Sequence, residues 1–248
     1  MYLDAIYVHA RDDALGQVVS KAVVVATGVT AEGGREVLGV DVGDSEAETF
    51  WTGFLRSLKA RGLAGVRLVI SDAHEGLRAA ITKTLQGSSW QRCRVHYVRN
   101  LLAPVPKASQ EMVAAAFRSI FTLTTPDDVH ARWDEVAVML AERFPKAAAL
   151  MDSAKYDVLA FTAFPREHWR QIWSNNPLER LNKEIRRRTA VVGIFPNDPA
   201  VIRLVGAVLA DQHDEWAIAR RYFSEASMAK LHTRETDQAV TAELQPAD

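Results

Sequence analysis

The chain has 248 residues, 48% of them hydrophobic and 25% charged, a globular composition that excludes a disordered polymer. Thirty basic against 31 acidic residues leave a net charge of −1, so the molecule is no general polyanion binder and any nucleic-acid contact needs a local basic patch. The single cysteine, Cys93, excludes an internal disulfide framework and a Cys-rich zinc module, and fits a reducing cytoplasm.

The first third alternates strands and helices. Tyr2–His9, Val18–Thr27 and Glu36–Val42 are short β-prone runs joined by glycine-containing turns, which predicts an antiparallel meander. A helix over Ser45–Arg61 follows, with Ser45 and Glu48 spaced as a capping box, Phe50, Phe54 and Leu58 on one face, and Gly62 as its stop. Val66–Ile70 is almost wholly apolar, as a buried central strand would be, and Ser71-Asp72 sits at its C-terminal end. A helix from His74 to Leu85, a fifth strand over Trp90–Arg94 and a helix over Val95–Leu102 complete an order that predicts an α/β domain with a mixed sheet.

Residues 105–165 carry helical periodicity and little strand signal. Thr125 and Pro126 read as N-cap and first helical residue, and Val129, Trp133, Val136 and Leu140 fall on one face. Helices at 109–123 and 146–160 flank this one. The block reads as an all-helical insertion between a first core part, 1–104, and a final part, 166–224, before a polar tail, 225–248. In the final part Asn176 would cap a helix with Pro177 at its first position, running to Thr189, and a last helix would cover Ala200–Phe223. No stretch reaches the roughly 20 apolar residues that cross a bilayer, and the N-terminus has no signal-peptide pattern.

Three carboxylates draw attention. Asp4 lies inside an apolar strand, where a carboxylate is costly unless paired or metal-bound; the alternative is the solvent side of an edge strand. Asp72 stands where a buried strand stops and a helix starts, a usual place for ligand sites in α/β sheets and equally for an N-cap. Glu179 is either the third member of a capping box with Asn176 or a third acid beside the apolar stripe Leu178, Leu181 and Ile185. Two acids from strands and one from a helix can hold two Mg²⁺ ions about 4 Å apart for phosphodiester transfer. Among 31 acids, that spacing is weakly specific. Arg180, Lys183, Arg186, Arg187 and Arg188 form the densest basic run, a solvated helix face or a phosphate-contacting surface. Cys93 and His96, spaced C-x-x-H, are too few for a tetrahedral zinc site and read as packing or substrate-side groups. There is no P-loop, G-x-G-x-x-G or G-x-S-x-G, so a nucleotide cofactor or a serine nucleophile has no support.

The segments YLDA (2–5), GDSEAETFW (43–51), VISDAHEGL (69–77), WQRCRVHYVRNLL (90–102), FPREHWRQIWSNNPLERLNKEIRRRTAVVGIFPN (164–197) and VIRLVGAVLADQHDEW (201–216) together resemble the bacterial IS256-type transposases, relatives of the Mutator transposases. The resemblance covers nearly the whole chain. It implies an RNase H-like core interrupted by a helical insertion, with a DDE triad at Asp4, Asp72 and Glu179 that binds Mg²⁺ (or Mn²⁺). Glu179 is chosen on the N-P-L-E-R motif; helical spacing alone leaves Glu184 open. The implied reaction is DNA cleavage by activated water and transesterification by the freed 3′-hydroxyl. Arg180, Lys183 and Arg186 to Arg188 would hold phosphates, with Cys93, His96 and Asn182 in support.

The same resemblance implies DNA and further copies of the enzyme as partners, and a bacterial, nucleoid-associated location. The family carries a DNA-binding region before the first catalytic Asp, whereas only three residues precede Asp4, which leads to the expectation of a core without its end-recognition module. A truncated fragment that binds DNA or the full-length enzyme as a regulator is the second reading. Another RNase H-like nuclease is a distant third.

Overall fold

The computed structural model describes residues 1–12 and 16–231. A six-stranded mixed sheet forms its centre. Strands β1 (Tyr2–Asp12), β2 (Gln17–Val29) and β3 (Arg35–Gly43) are the antiparallel meander that the turn spacing predicts. β4 (Leu68–Ser71) and β5 (Ser89–Arg92) add to it in parallel, in the order β3-β2-β1-β4-β5. β1 is therefore a central strand, which removes the edge-strand explanation of Asp4. The β2–β3 turn needs Gly33: its φ is +82°, and a Cβ there would lie 2.3 Å from the Phe223 carbonyl oxygen.

Helices cover both faces. On one, α1 (Glu48–Ala60) and α2 (Glu75–Thr84) pack Trp51, Phe54, Leu55, Leu77 and Ile81 against Leu3, Val24 and Val69. α1 starts three residues later than Ser45 implies. Its N-cap is Ala47 with no side-chain hydrogen bond, so the Ser45–Glu48 capping box does not form. On the other face lie α3 (Arg94–Leu102), α8 (Asn176–Val192) and α9 (Asp198–Ile218), with the helical block α4 (Lys107–Ile120), α5 (Pro126–Ala141) and α6 (Pro145–Val158). A short α7 (Trp169–Ile172) links the block to α8.

Within the block, Thr125 caps α5 by accepting from the Asp128 amide at 3.2 Å, and Val129, Trp133, Val136 and Leu140 are all buried as their spacing requires. Their cluster runs without a break into Tyr2, Ile6 and Ile70 of the sheet. The aromatic rings of Tyr97, Phe117 and Trp133 lie 5.5–5.9 Å apart at the join.

Some boundaries differ from the sequence reading. β5 stops at Arg92; Cys93 is already the N-cap of α3, and Arg94 is its first residue. α8 runs to Val192, and a two-residue strand, β6 (Ile194–Phe195), then pairs in parallel with His9 and Ala10 of β1. α9 ends at Ile218, because Tyr222 and Phe223 turn away to donate their amides to the Gly33 carbonyl. Residues 225–231 are helical with Met228 buried; the rest of the expected tail lies outside the described residues. No helix among the described residues is long and apolar enough to cross a membrane. The mixed sheet flanked by helices is consistent with an RNase H-like α/β fold.

Candidate active site

β1 and β4 are adjacent and parallel, with Tyr2 opposite Ile70. Asp4 follows Tyr2 by two residues and Asp72 follows Ile70 by two, just past the end of β4, and the two are close enough to act on one another by charge. Side chains alternate along a strand, so Asp4 shares the face of Tyr2 and Ile6, and Asp72 that of Leu68 and Ile70. Both carboxylates thus point to the side covered by α3 and α8. β4 pairs with β1 at Tyr2, and β6 joins β1 only from His9 onward, so the flank of β1 between them carries no strand among the described residues. The pair sits at the mouth of that gap.

Asp72 does not cap α2. The N-cap is His74, and among the described residues Asp72 Oδ1 accepts only from the adjacent Ala73 amide at 2.7 Å. The strand end is fixed from behind: Ser71 Oγ donates to the Asp72 carbonyl at 2.9 Å and accepts from Trp90 Nε1 at 2.8 Å. Asp4 is half-buried. Its Oδ1 accepts from the Ala5 amide at 3.0 Å and its Oδ2 from Asn182 Nδ2 at 2.6 Å. Burial pushes its carboxyl up to about 6, and the charge of Asp72 adds to this, while His96 and Arg186 oppose it. His96 is pushed up to about 9, first by Cys93 and then by Asp72 and Asp4, which makes it a cation facing the acid pair.

α8 is set over the pair by two asparagines seven residues apart, on one face of the helix. Asn175 Nδ2 donates to the Leu3 carbonyl at 3.0 Å, and Asn182 reaches Asp4 on the next residue of β1. The Asn175 amide donates to Cys93 Sγ at 3.3 Å, tying the start of α3 to the start of α8. Cys93 is therefore a buried packing and hydrogen-bonding group. The N-cap of α8 is Asn175, not Asn176, and makes no side-chain cap bond; with its amide engaged by Cys93, the capping-box reading of Glu179 fails.

Leu178, Leu181 and Ile185 are buried against the sheet, and Glu179 is exposed in the first turn of α8, one turn from Asn182. Glu184 points elsewhere: it accepts from Arg187 at 2.7 and 2.9 Å and from Arg188 at 2.8 Å, which holds its carboxyl down to about 2. Of the basic run, then, Arg187 and Arg188 are engaged on their own helix. Arg180, Lys183 and Arg186 are exposed and outside the ion pairs of the described residues.

The structure brings together Asp4, Asp72, His96, Cys93 and Asn182. It does not draw Glu179 into a tight group with the two aspartates, and among the described residues no three His, Cys, Asp or Glu side chains are close enough to hold a metal ion. Asn175 escapes the sequence reading, because two adjacent asparagines are equally competent caps. Its only signal is the i, i+7 spacing to Asn182.

Residues 1–219 match the family model described as "Transposase, Mutator family". The chain belongs to the Mutator family of transposases. Among the relatives of this Mutator-family chain, the transposase for insertion sequence element IS1081 of Mycobacterium tuberculosis is 53% identical over 219 residues, 88% of this chain and 52% of the relative. The IS256 transposase of transposon Tn4001 from Staphylococcus aureus is 38% identical, covering 89% of this chain and 56% of the relative. For the IS406 transposase of Burkholderia multivorans the figures are 39%, 90% and 58%. The Mutator-family chain thus spans about half the length of the curated relatives it matches.

Proposed function

We propose that this chain carries the strand-cleaving and strand-joining centre of an insertion-sequence transposase, with Asp4, Asp72 and Glu179 as its acidic residues and DNA as its substrate. The observation that carries the reading is that Asp72 lies close enough to Asp4 to act on it by charge, while Asp4 stays on a central strand although burial penalises its charge. A protein keeps such a pair where the charge has a use.

The donor set fits a hard divalent cation. Mg²⁺ takes oxygen ligands, commonly one or two protein carboxylates completed by water and phosphate. Asp4 and Asp72 would be those two, and Glu179 would join from α8. When bound, Mg²⁺ or Mn²⁺ would supply Lewis-acid activation of water or of a 3′-hydroxyl. The chain's own groups set the stage. Asn182 holds one oxygen of Asp4 and fixes the plane of the carboxylate. Protonated His96 offsets the negative charge that Asp4 and Asp72 build up. Arg180, Lys183 and Arg186 present cations to phosphates approaching over α8.

The test is calorimetric titration of Mn²⁺ into the full chain, with and without Asp72→Ala, followed by a strand-transfer assay using a DNA end with a free 3′-hydroxyl. Metal binding and strand transfer that both vanish in Asp72→Ala support the reading; an Asp72→Ala protein that still cuts DNA refutes it. The second reading is a regulator that acts by binding DNA or another transposase chain. A folded wild type with neither metal binding nor strand transfer favours that reading.

A further inference from the structure

Several arginines of this protein sit against acids. Arg78 meets Asp157, Arg118 meets Glu111, Arg132 meets Glu135, and Arg187 and Arg188 meet Glu184. Three that are neighbours in space do not. Among the described residues Arg94, Arg166 and Arg170 make no ion pair, and their guanidinium groups make no hydrogen bond. The one acid beside them in sequence, Glu167, is taken by Lys230.

Arg166 opens the 3-10 turn Arg166–His168 that leads into α7, and Arg170 follows four residues on, within α7. Trp173 follows Arg170 by one further turn. The guanidinium of Arg94 lies 3.9 Å from the centre of the Trp173 ring and 4.7 Å from that of Phe121, and the Arg94 amide donates to the Trp173 carbonyl at 3.0 Å. Arg166 is held in the same manner, 4.8 Å over Trp169.

A guanidinium stacked on an aromatic face can still address an anion with its edge and has little rotamer freedom left to lose; Arg166 Nε is buried with no hydrogen-bond partner among the described residues. Arg94 and Arg170 also feel one another's charge, and burial together with that repulsion pulls Arg94 down to about 10. Like charges held side by side without an acid are stabilised by an anion.

The strip is tied to the acid pair through Cys93 and Asn175. Arg94 follows Cys93, whose sulfur takes the Asn175 amide, and Asn175 in turn holds Leu3 beside Asp4. Trp173 lies two residues before Asn175. Arg94 thereby adjoins the contacts that tie the start of α8 to β1 beside Asp4, and Arg170 is close enough to act on Arg94 by its charge.

We propose that Arg94, Arg166 and Arg170 form a phosphate track that holds the DNA backbone as it enters the site of Asp4 and Asp72. This rests on DNA being the substrate. A diester phosphate carries one negative charge and two free oxygens, and the edge of a guanidinium addresses both at once.

The experiment is fluorescence anisotropy of a labelled mixed-sequence DNA duplex with the full 248-residue chain, across a range of salt concentrations. Removing one phosphate-binding cation lowers the slope of log K against log salt by about 0.9. Arg170→Gln, at an exposed position, and Arg166→Gln, with its fold checked by urea unfolding, should each lower the slope by about that amount and weaken binding equally on unrelated sequences. Arg94→Lys should keep the slope, and Arg94→Gln should lower it. Arg118→Gln, paired on the helical block, is the control and should match wild type.

If Lys183→Gln lowers the slope while Arg166→Gln and Arg170→Gln do not, the track is refuted and DNA as substrate stands. If wild type shows no salt-dependent binding to DNA at all, the substrate reading fails and the track falls with it.

Discussion

Asp4→Asn should make the folded protein more stable at neutral pH while removing its proposed role. The carboxyl of Asp4 moves from 3.8 to about 6 on folding, chiefly by burial. At about 1.4 kcal/mol per tenfold, keeping it ionised costs the fold about 3 kcal/mol. The sign follows from proton counts. Between pH 3.8 and about 6 the folded chain holds a proton that the unfolded chain has released, so this group lowers stability as pH rises through that window and adds no further loss above it.

The amide of the variant does not titrate. It also fits the site: among the described residues Asn182 Oδ1 is buried without a partner, so turning that side chain over lets it accept from the new amide. Urea unfolding from pH 4 to 7 should find the two proteins nearly equal at pH 4 and the variant ahead by up to about 3 kcal/mol at pH 7. His96, raised to about 9, stabilises the fold below 6.5 and loses that contribution as pH rises through about 9, outside this window; Cys93 is its main cause, so most of it survives the variant. A pH-independent difference, or a variant less stable at pH 7, would refute the account of Asp4 as a charge kept at the expense of stability.

Asn182→Ala leaves Asp4 Oδ2 without its 2.6 Å donor and should lower stability by about 1.5–3 kcal/mol in the same assay; an unchanged midpoint would mean that the bond is idle. Trp133→Ala empties the centre of the helical block, where Trp133 is fully buried and donates to the Met151 carbonyl at 3.2 Å, and should cost about 3–5 kcal/mol in chemical denaturation. Glu184→Gln releases Arg187 and Arg188 and should tighten DNA binding, with a salt slope steeper by about one per freed arginine; a slope equal to wild type would show that these two arginines face away from the DNA.

Much of the fold is readable from residue patterns, because its elements advertise themselves. Alternation with glycine turns marks the meander, an apolar run marks β4, and the Thr125-Pro126 start and the Val129–Leu140 stripe mark α5. What escapes is what depends on partners distant in sequence. β6 is two residues long and exists only because His9 and Ala10 offer it a ladder. The end of α9 is set by the docking of residues 222–223 on Gly33, not by a signal within the helix.

The site divides in the same way. Asp4 and Asp72 stand out singly, one as a charge in an apolar strand and the other at a strand end. Their juxtaposition needs the β1–β4 pairing, which skips two strands and a helix in sequence. Arg94 has no signal of its own, since an isolated arginine carries no pattern; only Trp173, brought from far along the chain, gives it a surface to lie on.

The unbroken packing between the sheet and the helical block has a practical consequence for anyone recombining such chains. Tyr97 follows His96 on α3, and its ring is wedged against Phe117 and Trp133 of the block. A foreign block spliced in for residues 105–165 would have to offer the same socket for that ring. If the socket were shallower or deeper, α3 would ride up or sink, and the imidazolium opposite Asp4 would move with it. The block is thus less a removable cassette than a gauge that sets the height of His96.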